Sequence, residues 1–228
     1  MSSVSKKVIF AAHTIDVVAY RRKLMKWGEE NFRAFPWRTT SDPFHLLVAE
    51  IMLHRTRALQ VVPVYNSFIQ RYPTPAAVRR ASEQDLMSIM DSLGLHSRVT
   101  RLKEIVEQLF ELYDGRVPEE KNDLLGLPGV GPYIAGAIRC FAFGKPDILP
   151  DTNTLRVTSR IFGVERNRRR RGNRDIWELI GELADPSKPD EYYYAQLDLA
   201  ASVCHAVAEP ACASCPVRAF CSFGSSER

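Results

Sequence analysis

The chain has 228 residues, 45% of them hydrophobic and 25% charged, with a formal net charge of +4. That is the composition of an ordinary globular protein with room for one large domain or two small ones. No run of about 18 apolar residues occurs, so a membrane span is not expected. The opening Met1-Ser2-Ser3-Val4-Ser5-Lys6-Lys7 lacks the long apolar segment of a secretion signal, so the expected setting is cytoplasmic, with reduced thiols.

Apolar residues recur at helical spacing almost throughout, and strand-type alternation is scarce. The chain therefore reads as all-α, with about ten helices on short connections. Val17, Leu24 and Trp27 mark the first helix, and turn residues follow at Pro36 and Ser41-Asp42-Pro43. Leu46, Leu47, Ile51 and Leu53 mark another helix, and Glu50 stands inside it with apolar residues on both sides. Desolvation there favours a protonated carboxyl, the form that donates a proton; the alternative is a glutamate on a solvated edge. His54-Arg55-Thr56-Arg57 follows one helical turn later. Tyr72-Pro73-Thr74-Pro75 and Gly94 are further turns. Leu102, Ile105, Val106, Leu109 and Leu112 form the stripe of a long helix that ends before Asp114-Gly115.

Next comes Leu125-Gly126-Leu127-Pro128-Gly129-Val130-Gly131-Pro132-Tyr133. A helix entering at about Glu119 is expected to end at Gly126, with a tight hairpin over 128–131. Pro132 then starts a new helix, at a position where proline is tolerated. Glycines 129 and 131 let the backbone turn sharply and bring amides close to a ligand, and amides at a helix N-terminus bind phosphate without reading a base. Cys140 falls beside Ile138 and Phe141 and reads as core. Asp151 stands just ahead of a helix over 152–161, as an N-cap aspartate does.

Eight arginines and one acid, Glu165, lie between Arg156 and Arg174. Such a run is either a solvated loop or a phosphate-contacting surface with salt-dependent affinity for nucleic acid. Four of the five cysteines close the chain as Cys204-x7-Cys212-x2-Cys215-x5-Cys221. A compact set of four thiolates suits a metal site better than a disulfide framework. Both a tetrahedral zinc and a [4Fe-4S] cube accept four sulfurs. Short, unequal loops with a single C-x2-C knuckle favour the cluster.

Taken in order, the hairpin, Pro150-Asp151 and the four-cysteine loop resemble the helix-hairpin-helix DNA glycosylases, the superfamily of endonuclease III and the MutY adenine glycosylases. The likeness runs from about Trp27 to Cys221 and includes Phe35-Pro36-Trp37-Arg38, Glu50-Ile51-Met52-Leu53, Gly115-Arg116-Val117-Pro118, Ala142-Phe143-Gly144-Lys145 and Asp151-Thr152-Asn153. One departure is the first cysteine gap, seven residues here where the family usually has six; a loop absorbs one added residue.

The resemblance implies roles. Asp151 is similar to the catalytic carboxylate that stabilises an oxocarbenium-like sugar or orients water. Glu50 matches an acid that the monofunctional adenine and mismatch thymine enzymes have and endonuclease III lacks. Tyr133 stands where bifunctional members carry a lysine; a phenol cannot form an imine, so hydrolysis without strand cleavage is implied. Tyrosine there resembles the thymine/uracil branch, whereas adenine enzymes typically have serine. The alternative is a tyrosine that only packs beside the pocket. His54 and Arg55 fall where a side chain enters the space of the flipped nucleotide or meets the widowed base. Leu95-His96 falls at a second wedge. Leu127, Gly129, Val130 and Gly131 of the hairpin, Asn153, and Arg168, Arg169 and Arg170 are the other expected DNA contacts.

The implied molecule is an all-α, two-domain glycosylase: a helical barrel over 42–150 ending in the hairpin, and a discontinuous domain of 12–41 plus 151–228 carrying a [4Fe-4S] cluster on Cys204, Cys212, Cys215 and Cys221. It is expected to be a monomer acting on duplex DNA, removing thymine or uracil mispaired with guanine. Two rivals stand beside it. One is adenine removal opposite 8-oxoguanine or guanine, disfavoured because the chain stops shortly after Cys221, where the adenine enzymes continue. The other is a non-catalytic iron-sulfur DNA-binding protein, disfavoured because binding needs neither Glu50 nor Asp151.

Overall fold

A computed structural model describes residues 7–10, 13–94, 96–165 and 174–226. The chain divides into two compact units, one of Met1–Arg33 with Pro146–Arg228 and one of Ala34–Lys145.

In the first unit, β1 (Lys7–Phe10) and β2 (His13–Asp16) pair antiparallel with Val8 opposite Ile15. This hairpin is an addition to the all-helical expectation, since strands of four residues are too short for alternation to register. Asp16 then caps α1 (Val17–Glu30), its carboxylate accepting the Ala19 amide at 3.1 Å. The inward face of α1 is Val17, Tyr20, Leu24 and Gly28. It lies against α11 (Pro189–Ser202), and a Cβ on Gly28 would stand 2.4 Å from Ala195 Cβ. Glycine inside a helix costs about 1 kcal/mol relative to alanine, and here it permits the close approach of two backbones. Helices α9 (Thr152–Phe162), α10 (Arg174–Leu183) and α12 (Ser222–Ser226) complete this unit.

The second unit opens on Phe35 stacked on Trp37 at 5.1 Å, with Trp37 edge-on to Tyr65 at 5.4 Å. Helix α2 (Pro43–Leu53) is capped by Asp42, which accepts the amides of Phe44 at 2.8 Å and His45 at 3.1 Å. Its residues Phe44 and 46–52 are all buried, so α2 is a central helix with no solvated stripe. Around it run α3 (Ala58–Arg71), α4 (Pro75–Arg80), α5 (Glu83–Met90), α6 (His96–Leu112), α7 (Lys121–Gly126) and α8 (Pro132–Phe141), of which α3, α6 and α8 pack on α2 directly. The expected stripe of α6 is buried from Leu102 to Leu109, but Leu112 at the helix end is 61% exposed. Twelve α-helices occur among the described residues rather than about ten. The extra ones include α4 and α12, of six and five residues, too short to show a period. No helix among the described residues is long and apolar enough to cross a membrane.

Helix C-termini are held in a way that the sequence does not announce. The last carbonyls of a helix lack partners within it, and a guanidinium offers five donors and a charge suited to that end of the dipole. Arg21 of α1 donates to Glu182 O at 3.1 Å, Leu183 O at 2.9 Å and Ala184 O, closing α10. Arg156 of α9 donates to Ala200 O at 2.9 Å and Cys204 O at 3.0 Å, closing α11.

Candidate active site

Asp151 is the N-cap of α9 in a reciprocal capping box with Thr154. Its Oδ1 accepts the Asn153 amide at 2.9 Å and the Thr154 amide at 2.6 Å, and its Oδ2 accepts Asn153 Nδ2 at 2.8 Å. The approach to the cap is also fixed. Tyr193 donates its hydroxyl to Asp147 O at 2.9 Å and accepts the Leu149 amide at 3.4 Å. Although the residue keeps partial exposure, desolvation of the carboxyl pushes it above its ordinary value of 3.8, against the lowering by hydrogen bonds from Thr154 and Asn153. The result is a carboxylate held in one orientation by three donors, and the cap and the expected catalytic role are compatible. Asn153 Oδ1 accepts from Arg156 Nη2 at 3.1 Å, so one arginine joins the residue orienting Asp151 to the carbonyl of Cys204. Arg156 and Tyr193 carry no motif, and only their partners reveal them.

Glu50 is 7% exposed within the buried run 46–52 of helix α2, which excludes a solvated edge. His54 and Arg55, just beyond the helix end, are exposed, and Arg55 adopts the left-handed backbone at φ 61. Arg98 of α6 holds this end. It donates to Ile51 O at 3.2 Å, Met52 O at 2.9 Å, Thr56 Oγ1 at 3.3 Å and His54 O. Burial, then the positive charges of Arg101 and Arg55, lower the Arg98 pKa. His96 begins α6. The Leu95 position and Arg168, Arg169 and Arg170 lie outside the described residues.

The hairpin takes the form expected from its glycines and prolines. Helix α7 ends at Gly126 and begins two residues later than the approximate start at 119; Val130 N donates to Leu127 O at 3.1 Å, and Pro132 opens α8. Leu127 and Val130 are buried, so the hairpin presents backbone rather than these side chains. Gly129 has φ +74, a left-handed backbone that favours glycine. Gly131 has no side chain with which to cap α8, and open space where its Cβ would stand leaves the first amides of that helix approachable. Tyr133, half-buried, lies in the first turn of α8, and Cys140 further along it is core at 1% exposure. Lys145 pairs with Glu119 at 2.7 Å and Glu120 at 3.6 Å, and the hydrogen bond to Glu119, reinforced by the charges of both glutamates, raises its pKa. A protonated amine is not a nucleophile.

Cys204, Cys212, Cys215 and Cys221 are all partly exposed. Burial pushes the Cys215 thiol up to about 11, and Cys221, Cys204 and Cys212 each act on it electrostatically, so the four sulfurs share one neighbourhood. Among the described residues no three His, Cys, Asp or Glu side chains are already drawn into a metal-binding group. The surroundings nonetheless fit thiolates: Arg160 Nη1 donates to Cys204 Sγ at 3.1 Å, and the Gly224 amide donates to Cys221 Sγ at 3.4 Å. A cationic centre would offset the charge of four thiolates, and N–H donors around the sulfurs tune such a centre.

Residues 48–182 match the HhH-GPD superfamily of base excision DNA repair proteins, a stretch that holds Glu50, the hairpin and Asp151. The chain belongs to that superfamily. A similar protein is the thymine/uracil-DNA glycosylase of Pyrobaculum aerophilum, 37% identical over 208 residues that cover 89% of this HhH-GPD chain and 90% of that protein. The adenine DNA glycosylase of Rattus norvegicus is 33% identical over 216 residues, 90% of this chain but 42% of that protein. A solved structure of a thermostable thymine-DNA glycosylase superposes with a TM-score of 0.85 at 30% identity, over 92% of this HhH-GPD chain and 96% of that one.

Proposed function

We propose that this protein is a monofunctional DNA glycosylase of base excision repair, hydrolysing the N-glycosidic bond of thymine or uracil mispaired with guanine in duplex DNA. The observation that carries the reading is the near end-to-end likeness to a thymine/uracil-DNA glycosylase, 37% identical with 90% of that protein covered. The chemistry of the residues agrees. Cleaving the bond builds positive charge on the sugar, and Asp151, pinned by Asn153 and Thr154, offers a fixed negative charge to stabilise it. The leaving pyrimidine carries negative charge, and Glu50 supplies a carboxyl from an apolar helix to protonate it. The hairpin amides at 129–131 hold a backbone phosphate, which positions the duplex without reading it.

Reaction type follows from which amines are present. Tyr133 has none, and Lys145 is held protonated by Glu119 and Glu120. Incubation with a G:T or G:U duplex should therefore release the free base and leave an intact abasic strand that breaks only on alkali treatment, with no protein–DNA adduct trapped by borohydride. Strand cleavage before alkali, with an adduct that survives Lys145→Ala, would contradict the hydrolytic assignment.

The proposal includes a [4Fe-4S] cluster on Cys204, Cys212, Cys215 and Cys221, supported by their spacing and by the N–H donors on two of the sulfurs. The purified protein should be yellow-brown, with broad absorbance near about 400 nm and about four irons per chain. One zinc and no iron would overturn the cluster and leave the glycosylase reading standing, since neither Asp151 nor Glu50 is a ligand.

A further inference from the structure

Arg98 makes a contact set unusual for one side chain. Its guanidinium spans the end of α2, donating to Met52 O and His54 O on one side of Arg55 and to Thr56 Oγ1 on the other. The backbone it straddles is strained. Arg55 at φ 61 is one of two non-glycine residues with positive φ among the described residues, a conformation that L side chains rarely adopt. Glycine would adopt this backbone freely; the chain instead carries a long cationic side chain there, exposed. A strained residue persists when its surroundings over-determine it, and Arg98 supplies that determination. Arg98 stands in the first turn of α6, so the same guanidinium ties the start of that helix to the 54–57 turn. Lysine could not replace it, because a single ammonium has three donors and no planar fork to span these acceptors.

We propose that Arg98 is a positioning residue that sets the Arg55 turn for reading the base opposite the excised one. This rests on the glycosylase reading above and adds to it the origin of opposite-base preference. Arg98 touches no substrate; it acts through Arg55.

The test compares single-turnover release of uracil from G:U and A:U duplexes, which share the excised base and differ only in its partner. For Arg98→Lys and Arg98→Ala the G:U over A:U rate ratio should fall roughly 5- to 150-fold, the value of one base contact of about 1–3 kcal/mol, while the A:U rate changes far less. Arg55→Ala should lose a similar factor, and the double variant Arg55→Ala/Arg98→Ala should lose no more than either alone, since both remove one interaction. A merely structural Arg98 would lower the melting temperature and both rates together with the ratio intact, and that result, or additive losses in the double variant, overturns the proposal. Wild-type protein that releases uracil from neither duplex would instead overturn the glycosylase reading, whereas release with no preference for guanine would overturn the opposite-base preference that this inference explains.

Discussion

Asp151→Asn should lower single-turnover release of thymine from a G:T duplex by roughly 10³- to 10⁴-fold, the scale of losing a group that acts mainly in the transition state, and leave duplex binding intact. Asparagine keeps the N-cap, because its side-chain oxygen still accepts the amides of Asn153 and Thr154, but it carries no charge to oppose that on the sugar. The raised pKa of Asp151 has two further consequences. The reaction needs the ionised form, so excision should fall on acidification at a pH above that of an ordinary aspartate at 3.8. Stability runs the other way. A carboxyl whose folded pKa exceeds its unfolded one contributes stability below the unfolded value and loses it as pH rises through the folded value. The difference in melting temperature between Asp151→Asn and wild type should therefore move in favour of the variant as pH rises through the raised pKa. A flat difference, or one moving the other way, would contradict the desolvated carboxylate, and near-wild-type release would remove Asp151 from the mechanism.

Glu50→Gln is the second large effect, expected at about 10²- to 10⁴-fold on thymine release, the range for loss of a general acid. Glutamine has nearly the same volume, so the fully packed helix α2 should remain folded. The loss should shrink when the excised base is 5-fluorouracil opposite guanine, because a more stable leaving anion needs the proton less. Equal losses for thymine and 5-fluorouracil would mean that Glu50 does not protonate the base.

What could be read from the chain and what could not divides along the range of the interactions. The hairpin was legible because Pro128 and Pro132 restrict their own backbone and Gly129 permits a left-handed turn that other residues resist, and Asp151 because its cap bonds reach only to Asn153 and Thr154. Glu50 stood out because its neighbours on both sides along the chain are apolar, and they are buried with it. The guanidiniums that close helices were invisible. Arg98 meets Met52 across 46 positions and Arg21 meets Leu183 across 162, and their acceptors are backbone carbonyls, which every residue has. The β1–β2 pair escaped because four residues are too few for alternation to emerge. Leu112 fitted the stripe of α6 but lies exposed at its end, where helical spacing no longer tells which residues the rest of the chain covers.

The central claim, removal of a pyrimidine opposite guanine, is tested most directly by single-turnover base release from four duplexes containing G:T, G:U, A:8-oxoguanine and A:G pairs, each scored with and without alkali. The account predicts abasic product from G:T and G:U, seen only after alkali, and little or none from the two adenine-containing pairs. Adenine release from A:8-oxoguanine or A:G, with thymine and uracil untouched, would contradict it.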